Sequence, residues 1–234
     1  MTPTTATAVP ITPGLDARAR FVTRVYGHVV GAILALVGFE VAFFRSGLAA
    51  GFRESIRGVP WILVLGGFMI VGWMARQVAW KLASKPAQYA ALGAYVVAKG
   101  LIISPLLYRA DRFAPGAITS AAQLSVLAAA ALTAVVWWTR RDFSFLRGIL
   151  RWGGMMALLC IVAAWLFGWH LGTWFNLAMV ALAGGAILYD TTKVVKRYRQ
   201  DRYVAAALSL FASIALLFFY VLRQLTRSRR LLDG

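Results

Sequence analysis

Three observations predict an all-α membrane protein with seven spans and the seventh packed among the others rather than at the lipid boundary. First, 61% of the 234 residues are hydrophobic and the mean hydropathy is +0.72, well above the apolar share of a water-soluble domain. The nine Trp and 14 Phe are too many to hide in a soluble core of this size. Second, the apolar residues fall into seven runs of about 17–22 residues, the length that crosses a bilayer core as a helix. Strands of a membrane barrel are half as long and alternate in polarity. Third, the last run carries small residues at four-residue spacing, a face that lets neighbouring helices close in.

In order, residues 1–20 are rich in Thr and Pro and form no apolar run, so they are expected to be a disordered tail rather than a secretory signal. The spans are then Tyr26–Phe44, Val59–Ala75, Ala90–Tyr108, Ile118–Trp138, Trp152–Trp169, Leu171–Asp190 and Val204–Leu225. Together they make one membrane domain over residues 21–228, with a short tail at 229–234. Tyr26, Trp61, Tyr108, Trp137, Trp138, Trp152 and Trp169 lie near span ends, where an aromatic belt sits. Only Trp169-His170-Leu171 separates the fifth and sixth spans, which predicts a hairpin with almost no loop. In the seventh span Ala205, Ser209 and Ser213 share one face.

The net charge of +17 would suggest nucleic acid in a soluble protein. Here the basic residues lie between the spans, where they set topology and meet anionic lipid headgroups. They concentrate in the N-terminal tail (Arg18, Arg20, Arg24) and after the second (Arg76, Lys81, Lys85), fourth (Arg140, Arg141, Arg147, Arg151) and sixth spans (Lys193, Lys196, Arg197, Arg199, Arg202). The N-terminus is therefore expected in the cytoplasm. The C-terminal Arg223, Arg227, Arg229 and Arg230 would then lie outside, unless the last span is short or re-entrant. The terse loops and the lack of a signal peptide suggest a bacterial inner membrane.

Catalytic patterns are missing. His28 and His170 are the two histidines, and there is no H-E-x-x-H, G-x-S-x-G or C-x-x-C. Cys160, the one cysteine, reads as a small buried hydrophobe. No cofactor is implied.

Three charged positions bear on function. Asp190 closes the sixth span, and an acid at that depth is costly unless it faces the protein interior. It is either a buried ion or proton site, with calcium as a candidate contact, or an interfacial carboxylate neutralised by Lys193 or Arg76. Lys99 sits about 15 Å inside the third span, beyond full snorkelling. Glu40 is either an interfacial partner of Arg45 or a pore-mouth attractor for cations.

Several stretches resemble the Bax inhibitor family. They are Phe21-Val22-Thr23-Arg24-Val25-Tyr26-Gly27, Gly100-Leu101-Ile102-Ile103-Ser104-Pro105, Thr139-Arg140-Arg141-Asp142-Phe143-Ser144, Leu188-Tyr189-Asp190-Thr191 and Ala206-Ala207-Leu208-Ser209-Leu210-Phe211. They occur in the family's order across roughly residues 20–228. The resemblance implies two three-helix layers around a central seventh helix. It also implies a pH-sensitive calcium leak, protection against cell death or, in bacterial members, modulation of a membrane protease. Its mechanism rests on two buried aspartates sharing a proton, beside an arginine. Asp190 falls on the first aspartate. Ser213 falls on the second, and Ala75 on the arginine, with Arg76 rotated by about 100°. Lys99 is then expected to replace the arginine as internal counter-ion of Asp190. The chain accordingly reads as a calcium leak with a degenerate aspartate sensor, or as a non-conducting scaffold for a membrane protein partner such as a protease or cell-death factor.

Overall fold

The computed structural model describes residues 13–81 and 84–232. They form eight α-helices, and no strand occurs among the described residues. The helices are α1 (Pro13–Arg45), α2 (Leu48–Ser55), α3 (Trp61–Lys81), α4 (Lys85–Phe113), α5 (Ala117–Thr139), α6 (Leu146–Leu166), α7 (Thr173–Lys196) and α8 (Tyr203–Leu232). Among the described residues α1, α4, α5, α6, α7 and α8 are each long and apolar enough to cross a membrane. The 21 residues of α3 give the length of a seventh crossing, at about 1.5 Å per residue. The short α2, which the sequence reading lacked, packs on α1 and buries none of its residues.

The membrane class is written on the outside of the bundle. Leu34, Ile70, Trp73, Leu127, Leu159 and Trp165 are all exposed. Such a girdle would aggregate in water but is what lipid solvates. Trp138, Trp152 and Trp169 are exposed at helix ends, in keeping with an aromatic belt. Cys160 is exposed on α6, not buried as expected. α6 packs mainly on α7, which leaves most of its surface to lipid.

The core is organised around α8. Val204 through Leu208, Leu210 and Phe211 are all buried, because this run of small and aliphatic side chains faces neighbours all round. α3 and α4 with α1 form one group, and α5 and α6 with α7 form the other. α8 packs against α1, α4, α5 and α7, and also against α3. The central seventh span is therefore observed, with α8 in that place.

Two boundaries move. Residues 13–20, expected in the tail, begin α1; residues 1–12 lie outside the described part. Arg18 fixes this extension by donating from Nε to the Val195 carbonyl at 2.7 Å and from Nη1 to the Tyr198 carbonyl. These carbonyls at the end of α7 would otherwise lack partners. The connection between α6 and α7 is also longer than expected. α6 stops at Leu166 and α7 starts at Thr173, because Gly168 takes a left-handed conformation (φ 69°) that ends the helix.

The bundle is more basic at one end, that of Lys85, Arg140, Lys196 and Arg197. The Trp80 ring sits 4.6 Å from that of Tyr198, Lys85 donates to the Asp201 carbonyl, and Lys196 donates to the Arg140 carbonyl at 2.7 Å. Arg18 joins them there. At the opposite end Arg227 of α8 donates to the Leu171 carbonyl at 3.0 Å, and Asn176 to Gln224 at 3.3 Å. α8 thus runs the full thickness of the bundle rather than turning back.

The Thr139-Arg140-Arg141-Asp142-Phe143-Ser144 loop owes its form to local capping. Arg140 adopts a left-handed conformation (φ 49°) to end α5. Asp142 Oδ1 accepts from the Ser144 backbone N–H at 2.9 Å and from its hydroxyl, while Oδ2 accepts from Arg197 at 3.0 Å. The Ser144 hydroxyl first, then its N–H, then Arg197, hold the Asp142 carboxyl down at about 2. The loop therefore ties α5, α6 and α7 together at the basic end.

Candidate ion site

Asp190 lies on the face of α7 that looks at α8. Ala183, Ile187, Thr191 and Val194 share that face and are fully buried, at the three- and four-residue spacing of one helix side. On α8, Ala206, Leu210 and Leu217 supply the opposing surface, and Ser213 falls between them. The Ser213 hydroxyl donates to Asp190 Oδ2 at 2.7 Å. Asp190 is 9% exposed and Ser213 7%. The same hydroxyl is 3.4 Å from the Ser209 carbonyl, so the shorter bond to the Asp190 carboxyl holds its one proton.

The basic groups whose charge acts on Asp190 are Lys193 and Arg76. Among the described residues neither forms an ion pair with it at contact distance. Lys193 Nζ sits 4.8 Å from the Tyr189 and Tyr198 ring centroids, a cation–π arrangement that keeps it near the rim. Arg76 is exposed and donates to the Gly72 carbonyl at 3.3 Å. Ala75, where the resemblance expects an arginine, is buried in the core between α3, α4 and α8.

Among the described residues Lys99 forms no ion pair with Asp190 at contact distance. Its Nζ lies 5.7 Å from the Tyr95 ring centroid, one turn earlier on α4. The reason is rotational: the face of α4 that carries Lys99 is set by how Tyr95 packs. Tyr95 is 4% exposed and meets the Phe211 ring edge-on at 6.1 Å.

Glu40 is buried on α1. It does not pair with Arg45, and it is buried rather than set at an open mouth. It is 9% exposed, against α4, and neither carboxylate oxygen has a hydrogen-bond partner. Gly100 makes this approach feasible, since a Cβ there would overlap the Phe39 ring and lie 3.3 Å from Glu40 Oε1.

The structure therefore joins Asp190 with Ser213, and among the described residues no ion pair links Asp190 to Arg76, Lys193 or Lys99. Sequence reasoning missed Tyr95 and Phe211, whose rings meet edge-on beside Lys99. The signal was present for Tyr95, four residues before Lys99 and so on its side of the helix. The carboxylate and one hydroxyl offer three oxygens, short of the six to eight that calcium takes. Among the described residues no group of three His, Cys, Asp or Glu side chains could hold a metal. An ion passing this point would keep most of its water.

The family model described as "Inhibitor of apoptosis-promoting Bax1" matches residues 18–230. The chain belongs to the Bax inhibitor family. A curated relative, Protein LIFEGUARD 4 of Arabidopsis thaliana, is 28% identical over 218 residues, which cover 88% of this chain and 84% of the plant protein. Within this Bax inhibitor fold, the two positions assigned by resemblance to a pair of aspartates are in contact, with an acid at one and a hydroxyl at the other.

Proposed function

We propose that this protein is a non-enzymatic calcium leak in which Asp190 is the ion- and proton-responsive group and Ser213 replaces the second acid. One observation carries the reading: the hydrogen bond from the Ser213 hydroxyl to the Asp190 carboxylate, formed out of water between α7 and the central α8. An intramembrane acid held at a helix–helix contact is a functional candidate by default. The Tyr95–Phe211 pair beside it gives the closed state a barrier. One carboxylate carries one proton, so the pH response is a single step rather than the coupled steps of an acid pair. The basic end faces the cytoplasm, following the distribution of Lys and Arg, and the terse loops fit a bacterial inner membrane.

Calcium flux into proteoliposomes at graded pH tests this. Asp190→Asn is expected to abolish the pH step, and Ser213→Asp to add a second one. Flux no greater than that of protein-free vesicles from about pH 5 to about pH 8, the range into which burial moves a carboxyl group, overturns the leak reading. A second reading would then take its place, that of a non-conducting scaffold for a membrane partner such as a protease or cell-death factor. It is favoured by one feature: neither the crevice between α1 and α4 beside His28 and Tyr89 nor the cavity among α1, α4, α5 and α8 beside Phe211 is lined by Asp190 or Ser213.

A further inference from the structure

The Phe21-Val22-Thr23-Arg24-Val25-Tyr26-Gly27 stretch of α1 has no part in the ion site. It ends at the head of a crevice of about 640 Å³ between α1 and α4, within the range of about 300–1,000 Å³ typical of small-ligand pockets. The polar residues on its wall are Arg24, His28 and Tyr89, and among the described residues no acid lines it. All three have accessible surface: Arg24 and Tyr89 are exposed and His28 is half-buried. Beyond them the wall is apolar, passing Gly27, Gly31 and Gly93 to reach Phe39. A Cβ at any of these three glycines would meet nothing within 4 Å. They therefore do not serve the packing of α1 on α4; their missing side chains leave the crevice open. All three are exposed, so the crevice faces lipid.

The donors at the head are not equally free. His28 Nδ1 lies 2.7 Å from the Arg24 carbonyl, which can only accept, so Nδ1 carries the proton. In the neutral ring Nε2 then accepts from the Tyr89 hydroxyl at 2.8 Å. The Arg24 guanidinium has no ion pair among the described residues and sits 5.8 Å from the Tyr203 ring centroid. Lys85 Nζ is 4.2 Å from the same centroid, so two cations flank one ring. Asp201, whose backbone carbonyl accepts from Lys85, turns its carboxylate to Arg199 at 3.3 Å and Arg202 at 3.6 Å. Arg20, one turn before Arg24, is exposed as well. The head of the crevice thus carries positive charge that no acid of the chain answers among the described residues.

Arg24 precedes the apolar run that opens at Tyr26, which puts it at headgroup depth. From Arg24 to Phe39 is about 22 Å at about 1.5 Å per residue, room for a headgroup contact and the about 15 Å of one leaflet's hydrocarbon. A second copy of the chain could also seat on small residues. Two copies meeting here about a two-fold axis would set Arg24 against Arg24 at one depth, a like-charge contact.

We propose that this crevice is a binding site for an anionic phospholipid, with its phosphate on Arg24 and one acyl chain along Gly27, Gly31 and Gly93. Charge complementarity selects this occupant. The guanidinium fork matches two phosphate oxygens, and a headgroup without a cation of its own also answers Arg20 and Lys85. Phosphatidylcholine brings its own ammonium and gains less. Binding is separate from any leak, so it is measured without flux.

The test is photolabelling of the full chain in mixed phosphatidylcholine–phosphatidylglycerol nanodiscs, mapped by peptide mass spectrometry. The same diazirine-bearing acyl chain is carried on either headgroup. The phosphatidylglycerol probe should label the crevice-lining stretches of α1 and α4 about fivefold more than the phosphatidylcholine probe, the factor that one basic residue contributes toward anionic lipid. Labels on α6, outside the crevice, should show no such preference. Arg24→Gln should remove most of the preference and Arg24→Lys should keep it. Gly31→Leu should lower crevice labelling by both probes and leave the α6 labels unchanged. Equal crevice labelling by the two probes on the unaltered protein would show a groove for bulk lipid alone and overturn the proposal. So would an undiminished preference in a folded Arg24→Gln protein. A dimer in native mass spectrometry that Gly31→Leu splits would assign the crevice to a second copy, which also overturns it.

Discussion

Replacing Ser213 with Ala removes one oxygen atom and leaves the α7–α8 contact otherwise in place. The site is buried and the donor–acceptor distance is 2.7 Å, so water cannot readily take over the bond. Hydrogen bonds to charged groups contribute about 1.5–3 kcal/mol, whereas neutral ones contribute about 0.5–1.5 kcal/mol. For a chain of this size 1 kcal/mol moves the melting temperature by about 2–4 °C. A loss near 2 kcal/mol therefore lowers it by about 4–8 °C. A tryptophan-fluorescence melt in nanodiscs at neutral pH reads this directly. The decisive comparison is the same substitution in an Asp190→Asn background, where the acceptor is neutral. There the shift should fall to about half. An equal loss in the two backgrounds would refute the charge-assisted bond, as would no shift in either.

Four further outcomes are expected. Gly100→Ala forces a methyl into the Phe39 ring and toward Glu40, and should cost about 1–3 kcal/mol in the same melt. Gly93→Ala on the same helix meets nothing within 4 Å and should be neutral or stabilising by up to about 1 kcal/mol. Asp142 has a depressed folded value, so its contribution to stability is present above its ordinary value of 3.8 and disappears as pH falls through about 2. The melting gap between the unaltered protein and Asp142→Asn should hold above about pH 4 and close by about pH 2, and a gap independent of pH would exclude the ion pair with Arg197. The single-step flux profile described above completes the set.

Several local features were legible before any coordinates. The Thr139-Arg140-Arg141-Asp142-Phe143-Ser144 stretch could be picked out as specific because its caps are made within a few residues of one another. The small face of the seventh span foretold that α8 packs among the others, since Ala205 and Ser213 are buried where neighbours close in; its central place came from the family resemblance. Asp190 could be singled out because an acid that ends an apolar run has few places to go. The α6–α7 connection was misjudged because the apolar residues after Leu166 read as helix, while Gly168 allows the chain to leave it.

By itself the sequence determined the membrane class, the crossings and the family, because a bilayer selects on length and apolarity and family motifs are local runs of residues. Only the tertiary structure decided which polar groups meet. One residue of difference turns a side chain by about 100° around its helix, and the rotation of each helix is fixed by packing against neighbours far away in the chain. That is why Ser213 reaches Asp190, why Lys99 turns to Tyr95, and why Glu40 ends buried against Gly100 rather than beside Arg45.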